Sequence, residues 1–295
     1  MRRDSRGRRS ESKHAVKQMR MLIALLSAST VLGAPIGAQV QIPAPNAAAP
    51  YAKVQIAAPN ARGVSMGHIN LNATDAEAAN RFWIALGGAP SSHGRVKYVV
   101  FPGAMVVVRQ AEPTAPAAGS VVDHFGFYVA NVRQSLARWQ DAGISTNGCT
   151  ARSCRLTTPD GLILVDIVEK RSLAVPVVFG YVYLRVTDPR ATQKWYAETF
   201  GATPQKEGSL DAAALPGGLL LFAKADAPTA PTVGRAVNHI GFEVANLEKF
   251  YRNAEASGVK VAQPWADVPE QQETRASVID PWGTRIELND GVAGW

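Results

Sequence analysis

The stretch VVDHFGFYVANV, residues 121–132, recurs 115 residues later as AVNHIGFEVANL, residues 236–247. In both copies a histidine (His124, His239) opens an alternating strand, a glycine follows two residues on, and an asparagine introduces an apolar helical stripe. A match kept at this separation marks a duplicated unit, and the unit has to be delimited before any single residue is assigned a role.

Working outward, each copy is the second half of a longer pattern. Before the first copy, GHINLNATD (67–75) is a short alternating strand, and TDAEAANRFWIALGG (74–88) reads as a helix. That helix has a Thr74 or Asp75 cap, apolar Ala79, Phe82, Trp83 and Leu86, and a glycine stop. RVKYVVF and AMVVVRQ follow as strands joined by the hairpin-like PGA. The same order of one strand, one helix and several antiparallel strands begins again at VDHFGFYVANV, at FGYVYLRVTDP with Asp188 as cap and Pro189 in the first turn, and at VNHIGFEVANL. Units one and three match each other, as do units two and four, with PTAPAAG and PTAPTVG at equivalent joints. The domains expected from this order are residues 64–170 and 177–290.

The rest of the chain reads differently. Of the net charge of +7, residues 1–20 carry +6 (eight Lys and Arg against Asp4 and Glu11), and subtracting it leaves +1. Neither that balance nor any basic stripe with interleaved aromatics points to a nucleic-acid partner. The basic start, the apolar run MLIALLSASTVLGA (21–34) and the small residues at Gly37 and Ala38 form a secretory signal over residues 1–38, predicting an exported, periplasmic or extracellular protein. The run is short for a bilayer span, so no stable membrane insertion is expected after cleavage; an uncleaved anchor or a disordered basic tail is the alternative, and Met19 offers a second start. Residues 39–62, rich in Ala and Pro, read as a linker. The two cysteines, Cys149 and Cys154 in GCTARSC, are expected to join in an oxidising compartment; zinc is the weaker reading, because no histidine lies nearby.

The H-x-G-F-x-V run, the histidine at the head of a unit's first strand and the ending DPWGTRIE (280–287) together resemble the vicinal oxygen chelate superfamily. That group includes glyoxalase I, extradiol dioxygenases, bleomycin-resistance and fosfomycin-resistance proteins, and methylmalonyl-CoA epimerase. The resemblance covers residues 64–290 and implies an α+β fold: four βαβββ units forming two curled, open eight-stranded mixed sheets, each around a cavity. It says less about the reaction, since one fold serves many chemistries.

The resemblance also implies metal ligands on the first and last strands of paired units. The first-strand places fall on His68, His124, Tyr181 and His239. The carboxylate place falls on Glu287 in unit four and, counted from the loop glycine, on Val165 in unit two, with Asp166 one residue out of phase unless the loop differs in length. Pairing in order gives His68 with His124 and a doubtful Asp166, then Tyr181 with His239 and Glu287. Pairing unit one with unit four gives His68, His239 and Glu287, two imidazoles and one carboxylate, suited to a divalent ion (Fe, Mn, Ni or Zn) that chelates adjacent substrate oxygens. His124, Tyr181 and Asp166 would then line a degenerate site. Tyr181 also fits core or pocket lining, and His93 an exposed loop.

No nucleophile elbow or phosphate-binding glycine loop occurs. Two functions remain. One is a metal-dependent lyase or extradiol-type dioxygenase acting on a small substrate with vicinal oxygens. The other is a metal-free small-molecule binding or sequestering protein of the bleomycin-resistance type.

Overall fold

The computed structural model describes residues 54–295. The signal expected at 1–38 and the first part of the Ala/Pro-rich stretch, 39–53, lie outside the described residues. Module one comprises β1 (Val64–Ala73), α1 (Ala76–Leu86), β2 (Ala89–His93), β3 (Val96–Phe101) and β4 (Ala104–Gln110). Module two comprises β5 (Val122–Val129), α2 (Val132–Asp141), β6 (Ser145–Asn147), β7 (Ser153–Thr157) and β8 (Leu164–Glu169). Module three has β9 (Val177–Val186), α3 (Pro189–Phe200), β10 (Thr203–Glu207), β11 (Leu210–Leu215) and β12 (Gly218–Lys224). Module four has β13 (Val237–Val244), α4 (Leu247–Ala256), β14 (Lys260–Val268), β15 (Glu273–Ile279) and β16 (Arg285–Asp290).

Local chemistry starts each helix. The side chains of Asp75, Asn131, Asp188 and Asn246 each accept a hydrogen bond from a backbone N–H in the first turn, and Pro189 supplies a fixed φ where a lost N–H costs nothing. Alternation then sorts each strand. In β1, Ile69 and Leu71 join the main core, while His68 and Asn70 line a cavity on the other face.

The strands assemble out of sequence order. One sheet runs β14-β15-β16-β13-β1-β4-β3-β2 and the other β10-β11-β12-β9-β5-β8-β7-β6, so module one pairs with four and module two with three. Each sheet is mixed: its seam is antiparallel (β1 with β13, β9 with β5), and each module's first strand runs parallel to its last. The two ranges expected as domains, 64–170 and 177–290, therefore each contribute half of both sheets, and neither corresponds to one sheet. The joints explain how. Residues 113–119 carry the chain from the first sheet to the second, and residues 228–234 carry it back. The two crossings are hydrogen-bonded together through Ala230 N–H to Gly119 C=O (3.0 Å) and Thr114 N–H to Gly234 C=O (2.8 Å).

Packing follows a different pairing from the strands. Trp83 on α1 lies 5.9 Å from the ring of Phe127 on β5, and Phe200 on α3 lies 4.9 Å from Phe242 on β13. Modules one and two thus pack through their aromatic residues, as do three and four, whereas the sheets join one with four and two with three. The hairpin tips at Gly103 and Gly217 touch where the sheets meet. Both residues have positive φ, and a Cβ on Gly103 would stand 2.5 Å from the Gly217 carbonyl oxygen.

Of the residues expected to be linker, 54–62 pack onto the fold. The Val54 N–H donates to the Trp295 carbonyl, Val54 and Ala57 are buried, and the Asn60 side-chain amide donates to the carbonyls of Phe200 and Gly201. His93, expected in an exposed loop, ends β2 and stacks on Trp295 with ring centroids 4.9 Å apart. Cys149 and Cys154, the latter on β7, are joined as a disulfide.

Candidate metal centre

The seam of the first sheet brings the two histidines together. In the register of β1 with β13, His68 lies opposite Gly241 and Asn70 opposite His239; β16 sets Glu287 beside Gly241. Gly241 is the glycine of the H-x-G-F run, and a Cβ there would overlap the His68 imidazole. The motif's glycine makes room for a ring supplied by another module. Gly126 does the same in the second sheet for the Tyr181 ring.

His68, His239 and Glu287 converge. The two Nε2 atoms are 3.2 Å apart, and Glu287 Oε1 and Oε2 lie 3.5 Å from His68 Nε2 and 3.6 Å from His239 Nε2. Neighbouring donors around one divalent ion with bonds of about 2.0–2.2 Å sit about 3.0–3.5 Å apart, so the residues present fit such an ion. All three side chains are nearly covered, at 4%, 4% and 9% exposure. Burial holds His239 down, to about 3, against the opposing pull of Glu287, and it also holds His68 below its usual range. Asn238 Oδ1, 2.9 Å from His239 Nδ1, accepts a hydrogen bond from the Nδ1–H and leaves the Nε2 lone pair facing the centre. Burial pushes the Glu287 carboxyl up, but His239, His68 and Arg275 together bring it below its usual range.

A cavity of about 410 Å³ opens from these donors. Asn70, Arg109, Arg275, Arg285 and Asn289 line its polar side, and Met105, Val107, Val292 and Trp295 its apolar side. Alternation along RIELND sets Arg285, Glu287 and Asn289 on this face. The same signal in the sequence could have identified Arg285 and Asn289, which sequence reasoning passed over together with Arg109, Arg275 and Asn238.

The second sheet holds the equivalent place, and its chemistry differs. His124 stands where His239 does and Tyr181 where His68 does. The carboxylate place is taken by Asp166, not by Val165: Asp166 lies beside Gly126 as Glu287 lies beside Gly241, while Val165 is buried in the core. Counting from the loop glycine misplaced it because the loop is one residue longer. Thr158 N–H closes on Ile163 C=O, whereas Asp280 N–H closes on Thr284 C=O. Here the charged groups face one another as ion pairs. His124 lies between two carboxylates, with Nδ1 2.7 Å from Asp123 Oδ1 and Nε2 3.1 Å from Asp166 Oδ2; Arg155 donates to both Asp166 oxygens at 2.6 and 3.1 Å. Against burial, the two carboxylates raise the His124 pKa. Tyr181 OH is 3.5 Å from Asp166 Oδ2, and His124 stacks on Tyr183 at 4.2 Å. Register puts Arg155 opposite Asp166, where the first sheet has Ser277 opposite Glu287. Serine leaves the carboxylate available, and arginine occupies it. Among the His, Cys, Asp and Glu side chains of the described residues, only His68, His239 and Glu287 place three potential ligand atoms within 4.8 Å of one another.

Residues 178–288 match the family model of the Glyoxalase/Bleomycin resistance protein/Dioxygenase superfamily. Glyoxalase I from Zea mays is similar in structure, with a TM-score of 0.59 at 14% identity over 78% of this chain and 94% of that one. A candidate dioxygenase from Bacillus subtilis gives a TM-score of 0.58 at 14% identity, over 77% of this chain and 84% of its own. At such identities the likeness is one of fold. No curated protein matches the sequence. The matched residues span modules three and four, including His239 and Glu287, and modules one and two repeat their topology. Through these residues, modules three and four resemble the Glyoxalase/Bleomycin resistance protein/Dioxygenase superfamily.

Proposed function

We propose that the protein is an exported metalloenzyme of the glyoxalase and dioxygenase type, in which His68, His239 and Glu287 hold one divalent ion at the floor of the first sheet's cavity. The observation that carries this reading is the convergence of two uncharged imidazoles and one carboxylate at 3.2–3.6 Å. Three protein ligands on one side leave the cavity side for substrate, where the ion would supply Lewis-acid stabilisation to a small molecule binding through two adjacent oxygens. The chain's own contribution is positional. Asn238 fixes the His239 ring, Gly241 gives the His68 ring its space, and the Asn289 amide (3.5 Å from Glu287 Oε1) and Arg275 orient the carboxylate. Burial of the three donors limits water around them. The Cys149–Cys154 bond supports export, since disulfides persist where thiols oxidise.

Metal stoichiometry tests the reading. Protein purified without chelators and offered Fe, Mn, Ni and Zn in turn should retain one ion per chain by elemental analysis. His68→Ala, His239→Ala or Glu287→Ala should each abolish retention, because two remaining ligands cannot hold the ion against water. His124→Ala should leave stoichiometry unchanged. Wild-type protein that retains none of the four would sink the metalloenzyme reading in favour of a metal-free binding protein.

A further inference from the structure

We propose that the ligand of the first cavity is a small organic anion, which presents adjacent oxygens at the His68, His239 and Glu287 end and a separate carboxylate to Arg109 and Arg285. Only the chelating end of this inference rests on the metal reading above.

Charge compensation on the cavity wall is uneven. Of the three arginines lining it, Arg275 is paired with the buried Glu273 and lies 3.7 Å from Glu287. Arg109 and Arg285 have no carboxylate partner among the described residues. Arg285 Nη2 meets only the neutral Gln263 Oε1, at 3.3 Å, and its buried Nε has no hydrogen-bond partner among the described residues. The buried oxygens Asn70 Oδ1 and Asn289 Oδ1, on residues of the same wall, are equally without partners. Buried polar atoms left in this condition are costly unless something binds them. Two unpaired guanidiniums select a carboxylate over a neutral group, because each offers a planar fork of charged donors.

The duplicated module supplies an internal control. In the register of the second sheet, Ala223 stands at the place of Arg109, since Asn72 pairs with Arg109 as Arg185 pairs with Ala223. Leu164 stands at the place of Arg285, one residue before the Val165 that matches Ile286. The sheet with the saturated His124–Asp166 cluster thus lacks both arginines, and the sheet with the three converging ligands has both. Their presence follows the site and not the fold.

The test uses pairs of probes that share chelating oxygens and differ in one carboxylate: 2-oxoglutarate against 2-oxobutyrate, 2-oxoadipate against 2-oxopentanoate, and 3,4-dihydroxybenzoate against catechol. Calorimetric titration into metal-loaded wild-type protein should show the carboxylate-bearing member of at least one pair binding tenfold or more tightly. The margin should disappear in the Arg109→Gln/Arg285→Gln double variant, with metal content and thermal midpoint retained as proof of an intact fold. Equal affinities within all three pairs, or an undiminished margin in the double variant, would overturn the proposal while leaving the metal reading in place. Should the wild type take up no metal, the metal reading fails alone and the same titrations are run on metal-free protein. Saturable binding of 2-oxoglutarate, 2-oxoadipate or 3,4-dihydroxybenzoate that the double variant loses would then support the arginine site, and its absence would reject it.

Discussion

At the scale of single residues, two sites at equivalent register differ by a few side chains. Asn238 beside His239 becomes Asp123 beside His124, and Ser277 opposite the carboxylate becomes Arg155. Each exchange replaces a neutral group with a charged one, which turns a set of available donors into a closed ion-pair cluster. The cluster has a pH signature. Burial pushes the Asp166 carboxyl up, but hydrogen bonds from His124 and Arg155 outweigh it and hold the folded value at about 2. The value is lower than in an unfolded chain, so the stabilisation is present above about pH 4 and is lost as pH falls towards 2. For His124 the sign is opposite: its folded value is raised, so its contribution is present below pH ~6.5 and is lost as pH rises through the folded value. Asp166→Asn should cost about 2 kcal/mol at neutral pH and flatten the acid limb between pH ~4 and ~2. Urea unfolding from pH 2.5 to 8 checks both, and an unchanged acid limb would show that Asp166 is not held by these partners.

At the scale of elements, the β1/β13 seam decides which residues can cooperate. His68 faces Gly241 across that seam, and the glycine's missing side chain is what admits the imidazole. Gly241→Ala should displace the His68 ring, lower divalent-ion affinity at least tenfold and cost about 1–3 kcal/mol from overpacking. Gly126→Ala in the second seam meets the Tyr181 ring instead. It should cost similar stability and leave ion affinity unchanged, which separates the loss of a ligand from simple strain. Measuring ion affinity and unfolding midpoint on both variants distinguishes the two; equal ion affinity in both would reject this account of the glycine.

For the molecule as a whole, sheets and aromatic packing follow different pairings. Residues 64–170 contain β1 without its neighbour β13, and β5 without β9, so both sheets of such a fragment would end on exposed seam strands. Expressed alone, 64–170 should lack a cooperative unfolding transition by circular dichroism. Mixed with a fragment from residue 171 to the C-terminus, it should regain one. A cooperative, monomeric 64–170 fragment would contradict this dependence.

The sequence by itself determined the modules. Strand alternation, the Asp75 and Asp188 caps and the repeated H-x-G-F run are local signals, set by backbone geometry and neighbouring side chains, and the first strand and helix of each module appear where they predict them. It also contained the three candidate ligands, but only as one of two pairings. Which modules share a sheet was decided by the tertiary structure, because strand pairing depends on where the crossings at 113–119 and 228–234 carry the chain, and that leaves no local mark. Asp166 was misplaced for a related reason. One extra loop residue reverses the face of every side chain after it, and register is fixed only when β8 hydrogen-bonds to β5. The arginines of the cavity were visible in the sequence as residues, but not as a set. Arg109 and Arg285 are 176 positions apart, and only the closed seam between modules one and four puts them on one wall.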